Sequence, residues 1–273
     1  MRISVLGSGS GGNAVVVESA GRRLLVDVGF SCRQIGLRLE TLGVAPDDID
    51  AILLTHEHSD HCRGLRVLSK KLAASGGPPI HATEGTQQGI EVAEQAASSV
   101  RTIRSGQPFE VAGFRVEPFG LPHDAREPVG FAIEDDAGRR LGLVGDLGSL
   151  SQRAWARLHD LDALILESNH DVHMLRTGPY PWALKQRVAG RHGHLANHEA
   201  AAGLRDLLCD RLRLVVLYHL SRTNNSPALA AEAAAATLDA GGCGAEVVVS
   251  QQDEPTHWLD LAPADRHGTK ELR

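Results

Sequence analysis

The stretch Ala51-Ile-Leu-Leu-Thr-His56-Glu-His58-Ser-Asp60-His61 decides the fold. Its first five residues form an apolar run of the length of a buried strand. The next six carry three imidazoles and an aspartate. Alternation along an extended chain separates His56 and His58 from Asp60 and His61, so two pairs of ligands can serve two cations. Imidazole with carboxylate suits zinc or manganese, with iron also possible, rather than calcium. A polar loop with incidental histidines is the plain alternative, and it leaves that density of metal-ligating side chains without a reason.

Composition supports the same emphasis. The chain of 273 residues holds 14 histidines, more than a core can use, and its formal net charge is −6. An acidic balance excludes a histone-like nucleic-acid coat; any nucleic acid must be met by a local patch or through metal. No apolar run reaches the ~18 residues that cross a bilayer, so no membrane association is expected. The segment Met1-Arg-Ile-Ser-Val-Leu-Gly-Ser-Gly-Ser10 lacks the apolar core of a signal peptide. Cys32, Cys62, Cys209 and Cys243 lie far apart with no C-x-x-C pair, which fits a reduced, cytoplasmic setting. Cys62, next to His61, reads as a small thiol packing a helix start rather than a ligand.

Outward from the histidine run, the sequence reads as strands over Arg2–Leu6, Ala14–Ser19 and Arg23–Asp27, then a helix over Arg33–Leu42 that stops at Gly43. After the strand Ala51–Thr55 come a helix over Leu65–Ala74, a strand over Ile80–Thr83, a helical segment over 84–97 and successive β-hairpins over 100–146. The second half alternates strands at Ala163–Glu167, Leu214–Leu220 and Ala245–Ser250 with helices near 152–159, 181–189, 198–210 and 227–239. Hairpins first in each half, with βα units after them, predict an α/β (α+β) fold of two sheets face to face with helices outside. One domain over residues 1–262 and a polar tail over 263–273 are expected.

Gly7-Ser8-Gly9-Ser10-Gly11-Gly12 satisfies G-x-G-x-x-G, and Asp27 lies where a ribose-binding acid would sit. The glycines of a dinucleotide fold must open a helix, whereas Asn13-Ala-Val-Val-Val-Glu18 reads as a strand. No nucleotide cofactor is expected. The glycines instead permit a tight turn whose backbone approaches something closely.

The H-x-H-x-D-H run at a strand end resembles the metallo-β-lactamase fold superfamily, and the resemblance runs over essentially the whole chain. It implies an αββα sandwich. Leu25-Val26-Asp27-Val28-Gly29 matches the strand-ending aspartate that props the histidine loop from behind the ligands. His123, Asp146 and His219 each follow an apolar strand, in the order in which the superfamily supplies its remaining ligands. By that resemblance His56, His58 and His123 hold one divalent cation, Asp60, His61 and His219 hold the other, and Asp146 bridges them. Such pairs, ~3.5–4 Å apart, activate a shared water, so the expected nucleophile is a metal-bridging hydroxide and not a side chain.

Within the superfamily, only 22 residues separate His123 from Asp146 and 72 separate Asp146 from His219. These are too few for the arm of RNase Z-type enzymes or the extra domain of RNase J-like nucleases. The wording is similar to the YycJ/WalJ (VicX) family of compact nucleases at Leu6-Gly-Ser-Gly-Ser-Gly-Gly-Asn-Ala14, at Pro122-His-Asp-Ala-Arg-Glu-Pro-Val-Gly-Phe131 and at His219-Leu-Ser-Arg-Thr-Asn-Asn225. That resemblance implies a 5′-to-3′ exonuclease acting on double-stranded DNA and linked to DNA repair. The alternative is a small-molecule hydrolase of the same fold, acting on a thioester or lactone, which needs a closed apolar pocket.

His194 stands where RNase Z-like relatives carry a proposed proton donor, with Glu167 placed to orient it. It is otherwise a cap of the helix that starts near Asn197. From Val172 to Gly193 there is no acid, while Arg176, Lys185 and Arg187 alternate with Tyr180 and Trp182; Arg63 opens a second acid-free stretch. Cations for phosphates and rings for bases fit a binder of DNA strand ends, and ordinary solvated helix faces fit as well. His170 and His173 lie close enough in sequence to be substrate contacts.

Overall fold

The computed structural model describes residues 1–73, 76–92 and 99–261. In the first half run β1 (Arg2–Gly7), β2 (Ala14–Ser19), β3 (Arg22–Val26), α1 (Cys32–Glu40), β4 (Ala51–Leu53), α2 (Ser59–Cys62), α3 (Leu65–Ala73), β5 (Ile80–Thr83), α4 (Glu84–Gln87) and β6 (Val100–Ile103). The second half holds β7 (Phe109–Val111), β8 (Phe114–Gly120), β9 (Val129–Asp135), β10 (Arg140–Val144), α5 (Gln152–Trp155), β11 (Ala163–Glu167), α6 (Val172–Thr177), α7 (Trp182–Val188), α8 (Asn197–Asp206), β12 (Leu214–Tyr218), α9 (Pro227–Ala240) and β13 (Glu246–Val249). β14 (Leu259–Asp260) returns to the first sheet.

Among the described residues the strands form two seven-stranded sheets, ordered β14-β1-β2-β3-β4-β5-β6 and β13-β12-β11-β10-β9-β8-β7. Each is antiparallel through its early hairpins and parallel through the βα units that follow, as in β3-β4-β5-β6 and β10-β11-β12-β13. This is the two-sheet, helices-outside arrangement that the sequence predicts.

The period-2 pleat explains why strands such as Leu24-Leu25-Val26 are apolar throughout. Leu24 and Val26 join a core with Phe131, Leu143, Ile165 and Val216 of the other sheet. Leu25 points the opposite way, toward Ile35, Leu39 and Leu68 of α1 and α3. On the far side Leu164, Leu166, Val215 and Leu217 meet Leu204 of α8 and Leu238 of α9. Ser19, ending β2, donates to Asp135, ending β9, at 2.7 Å and ties the sheets at one corner.

The parallel registers position the site. Val26 pairs with Leu53, Val144 with Leu166 and Leu166 with Leu217, so these strands finish together along one edge. Asp27, Thr55, Asp146, Glu167 and His219 emerge there, at the carboxyl ends where α/β sheets place their chemistry.

Several expectations need correction. Val100–Ile103 lies parallel to β5 at the edge of the first sheet rather than in a hairpin, and the helix expected near 152–159 spans only Gln152–Trp155. Ser59–Cys62 is a turn of helix, not an extended loop, so a helical turn rather than strand alternation separates His56 and His58 from Asp60 and His61. The helix expected over 84–97 stops at Gln87 among the described residues. A Cβ at Gly85 would lie 2.6 Å from the Glu127 side chain and one at Gly89 2.5 Å from that of Glu57, so these glycines serve close packing rather than a helix. Residues 93–97 of that expectation, and the expected tail over 263–273, lie outside the described residues. Finally α6 and β14 were not expected; one is six residues long and the other two, shorter than hydrophobic periodicity resolves.

Candidate metal centre

Four of the five imidazoles, those of His56, His61, His123 and His219, are aimed by a partner on the outer nitrogen. Asp27, at φ 62°, accepts from Thr55 N at 2.9 Å and from His61 Nδ1 at 2.8 Å. Thr55 Oγ1 also reaches Nδ1 of His56 at 3.0 Å. Nδ1 of His123 donates to Gly193 O at 3.1 Å. His219, at φ 55°, donates its backbone N–H to Ser8 Oγ at 2.6 Å and its Nδ1 proton to Glu167 at 2.9 Å. A left-handed φ at two non-glycine residues is strain held by these bonds, of the kind that collects at functional sites.

The inner nitrogens converge on two carboxylates. Oδ2 of Asp146 lies 3.8 Å from Nε2 of His56, 3.3 Å from Nε2 of His61 and 3.7 Å from Nε2 of His123, and Oδ2 of Asp60 lies 3.5 Å from Nε2 of His219, whose outer Nδ1 is also 3.1 Å from Oδ1 of Asp146. Three overlapping groups result, His56-His58-His123-Asp146, Asp60-His61-His219-Asp146 and Asp146-Glu167-His194-His219, each with ligand atoms within 4.8 Å of one another; the first two match the expected pair of cation positions. His56 Nε2, Asp146 Oδ1 and His219 Nε2 are buried with no hydrogen-bond partner, which is costly unless something else satisfies them.

The electrostatics fit two dications. Burial, reinforced by the neighbouring His61, holds His56 well below the ordinary imidazole range and keeps its lone pair free. Against burial, the carboxylates of Asp146, Asp60 and Glu167 push His219 up to about 10. Burial likewise opposes ionisation of Asp146, yet His219 and His61 hold it well below the usual carboxylate range. Buried carboxylates that otherwise gather protons around them are suited to exchanging those protons for cations. The set of nitrogen and carboxylate donors, one of them shared, therefore fits a pair of divalent cations. Cys62 stays outside it: its thiol donates to Glu57 O at 3.0 Å, and burial pushes its pKa up to about 11.

Beside this cluster stands a histidine–glutamate pair. Glu167 is fully buried; its Oε1 accepts from Nδ1 of His194 at 2.7 Å, and its Oε2 accepts from the backbone N–H groups of Leu147 and Leu195 at 3.0 and 3.1 Å. Burial lowers the affinity of His194 for a proton, but the Glu167 charge more than compensates and raises its pKa. Helix α8 is capped at Ala196, with Glu199 reaching back to it, so His194 is not the cap.

A cavity of about 180 Å³ opens on the His194 side of the pair. His194 and His219 line it together with Tyr180, Leu184, Arg187 and Val188 of the α7 region and Ser10, Asn169 and Ser221 opposite. The structure thus brings Tyr180 and Arg187 to the centre. Arg187 pairs with Asp124 at 2.7 Å, and Asp124 in turn lies 3.3 Å from Nε2 of His123. The rest of the expected rim lies outside that cavity. Trp182 is 70% exposed at the start of α7. Lys185 Nζ donates to Arg176 O at 2.8 Å, and Arg63 reaches Gly11 O at 3.4 Å. His170 is buried, while His173 is exposed on α6. Sequence reading missed Thr55, Asp124, Asn169 and Ser221. Asp124, next to His123 in the chain, offered a signal; the others are polar loop residues whose aim only tertiary structure reveals.

No helix among the described residues is long and apolar enough to cross a membrane. The sequence matches the β-lactamase superfamily domain over residues 22–220. It is 35% identical over 246 residues to the exodeoxyribonuclease YycJ of Bacillus anthracis, covering 89% of this chain and 91% of that one. It is 36% identical over 233 residues to the exodeoxyribonuclease WalJ of Streptococcus pneumoniae, covering 84% and 85%. In structure it is similar to the metallo-β-lactamase fold protein YhfI of Bacillus subtilis, with a TM-score of 0.70 and 17% identity over 94% of this chain and 99% of the other.

Proposed function

The chain belongs to the metallo-β-lactamase superfamily, and from that premise we propose that it is a metal-dependent phosphodiesterase, a 5′-to-3′ exonuclease on double-stranded DNA linked to DNA repair. The observation that carries this reading is the 2.7 Å contact between His194 and Glu167 beside a donor set suited to two cations. Zinc or manganese, with iron possible, would be held by His56, His58 and His123 on one side, by Asp60, His61 and His219 on the other, and by Asp146 between. Bound there, the cations would supply Lewis acidity and an activated water.

The protein's own residues do the rest. Glu167 engages Nδ1 of His194, which leaves Nε2 to give its proton to the oxygen that departs from phosphorus. The elevated pKa keeps that proton available near neutral pH. Tyr180 and Arg187 meet the end of the strand in the cavity. Trp182, Arg176, Lys185 and Arg63 meet the adjoining duplex, phosphates by charge and bases by stacking. Ser10, Asn169 and Ser221 give the cavity a polar wall, which suits a nucleotide better than the closed apolar pocket of a thioesterase or lactonase.

The test is digestion of duplexes labelled at the 5′ or the 3′ end by metal-loaded protein, beside Asp146→Ala. Early release of 5′-labelled mononucleotide, absent in the variant, supports the reading. No nucleotide release with any divalent metal overturns it.

A further inference from the structure

The glycine-rich run Gly7–Gly12 opens no helix, and what its tip closely approaches is the side chain of Gln252. Oε1 of Gln252 accepts from Gly11 N–H at 2.6 Å, and its Nε2 donates to Gly12 O at 2.7 Å. A Cβ at Gly9 or Gly11 would lie 2.8 or 2.7 Å from that Oε1, so a side chain at either position would push the amide off the turn. Gln252 is itself held in place. Buried Arg38 of α1 donates to Gln252 O at 3.2 Å and to Leu6 O, and Ser8 N–H donates to Gln251 O at 2.9 Å.

The base and the tip of this turn have different anchors. At the base, Gly9 N–H donates to Asn13 Oδ1 at 2.9 Å, Gly12 N–H to Gly9 O at 2.9 Å and Asn13 N–H to Asp60 O at 2.8 Å. The tip, Ser10-Gly11, is tied to the rest of the molecule by Gln252 and by Arg63, whose Nη1 is 3.4 Å from Gly11 O. Ser10 is exposed at that tip and lines the cavity that holds His194, Tyr180 and Arg187. Neither its hydroxyl nor its backbone N–H has a hydrogen-bond partner among the described residues. Two free donors on the wall of a cavity that also holds a guanidinium suit an anionic oxygen, as on phosphate.

We propose that Gln252, which lies outside that cavity, is a positioning residue: it clamps the tip of the glycine-rich turn so that Ser10 donates to a phosphate oxygen of the bound strand. The proposal rests on the reading of the cavity as the seat of the strand end. A slack tip weakens binding rather than chemistry, because the bonds from the base of the turn to Asn13, Asp60 and His219 do not pass through the Gln252 side chain.

The experiment measures KM and kcat for a labelled duplex, together with zinc content, on the unchanged chain, Gln252→Leu, Ser10→Ala and the double variant. Leucine makes neither bond to the turn; Gln252→Ala stands in should the leucine variant not fold. Each single variant is expected to raise KM roughly tenfold or more, the worth of about one hydrogen bond to a charged group. In Gln252→Leu, kcat and zinc content are expected to stay within about twofold, the pattern of lost binding alone. The double variant is expected to match Ser10→Ala within about threefold, because Gln252 acts through Ser10. An unchanged KM in either single variant, losses that multiply in the double variant, or a fall of kcat with zinc content in Gln252→Leu overturns the proposal. Release from no duplex end by the unchanged chain overturns the nuclease reading instead. The same pattern is then required of Kd for the duplex, read by fluorescence anisotropy, and its absence overturns the proposal as well.

Discussion

Glu167 joins His194 to His219: a single carboxylate oxygen stands 2.7 Å from Nδ1 of one and 2.9 Å from Nδ1 of the other. One buried group thus aims a candidate ligand and a candidate proton donor together. The two functions separate by leaving group. His194→Ala is expected to slow release from duplex DNA about 10²-fold or more, the usual worth of a general acid. On a p-nitrophenyl phosphodiester, whose leaving oxygen needs no proton, the same variant is expected to stay within a few-fold of the unchanged enzyme. Equal losses on both substrates would show that His194 does something other than donate a proton.

Asp146 offers oxygens to both clusters at once. Asp146→Asn is therefore expected to retain fewer than two cations per chain by elemental analysis, not merely to lose activity. In the unchanged protein, chelation is expected to lower Tm and added zinc or manganese to restore it. Binding at ~100 Kd is worth about 2.7 kcal/mol, and each kcal/mol moves Tm by roughly 2–4 °C in a chain of this size. A Tm indifferent to chelator would contradict a structural contribution from bound cations.

The candidate donor cluster was legible because metal chemistry restricts which residue types serve, and because His56, His58, Asp60 and His61 follow an apolar strand that sequence alone reveals. His123, Asp146 and His219, each also after an apolar strand, were legible through the order that the resemblance supplies. What stayed hidden depends on aim rather than type. Nothing in the order Ser8-Gly9-Ser10-Gly11-Gly12-Asn13 says that Asn13 turns its amide toward His61, because Gly9 fixes that orientation in three dimensions. The helical turn at Ser59–Cys62 escaped for a related reason: four residues are too few for a period. Arg187 read as a free phosphate clamp, whereas its partner Asp124 lies 63 positions away in the chain.

Acid stability follows from the corner where the sheets are tied. Against the upward push of burial, hydrogen bonds from Arg139 and Ser19 hold the Asp135 carboxyl down to about 2, from an ordinary 3.8. A folded pKa below the unfolded one means that the unfolded chain takes the proton first as pH falls. The stabilisation is complete above the unfolded value and is lost as pH drops through the range down to about 2. Asp135→Asn is expected to cost about 1.5–3 kcal/mol in urea unfolding at pH 7, the range for hydrogen bonds to a charged group. The gap between the two proteins should narrow below about pH 4 and close only as pH falls to about 2; a gap independent of pH would mean that Asp135 acts through packing alone.

On the proposed reading Trp182 would report duplex binding, because the other tryptophans are engaged elsewhere. Trp155 is buried with its Nε1–H on Gly203 O at 2.9 Å. Trp258 is covered by Arg2 at 4.3 Å and donates to Leu42 O. Only Trp182 among the three is largely exposed, beside Lys185 and Arg187 on α7. Titration with a short duplex is expected to quench its fluorescence, more per mole of ends than per mole of base pairs. Trp182→Ala should abolish the quenching and weaken binding by about 1–3 kcal/mol, the range for one base on an aromatic ring. Lys185→Ala should instead flatten the dependence of log K on log salt by about 0.9, the slope per phosphate contact. A circular duplex without ends that quenches as strongly as a linear one would show that Trp182 reads the side of the helix rather than its terminus.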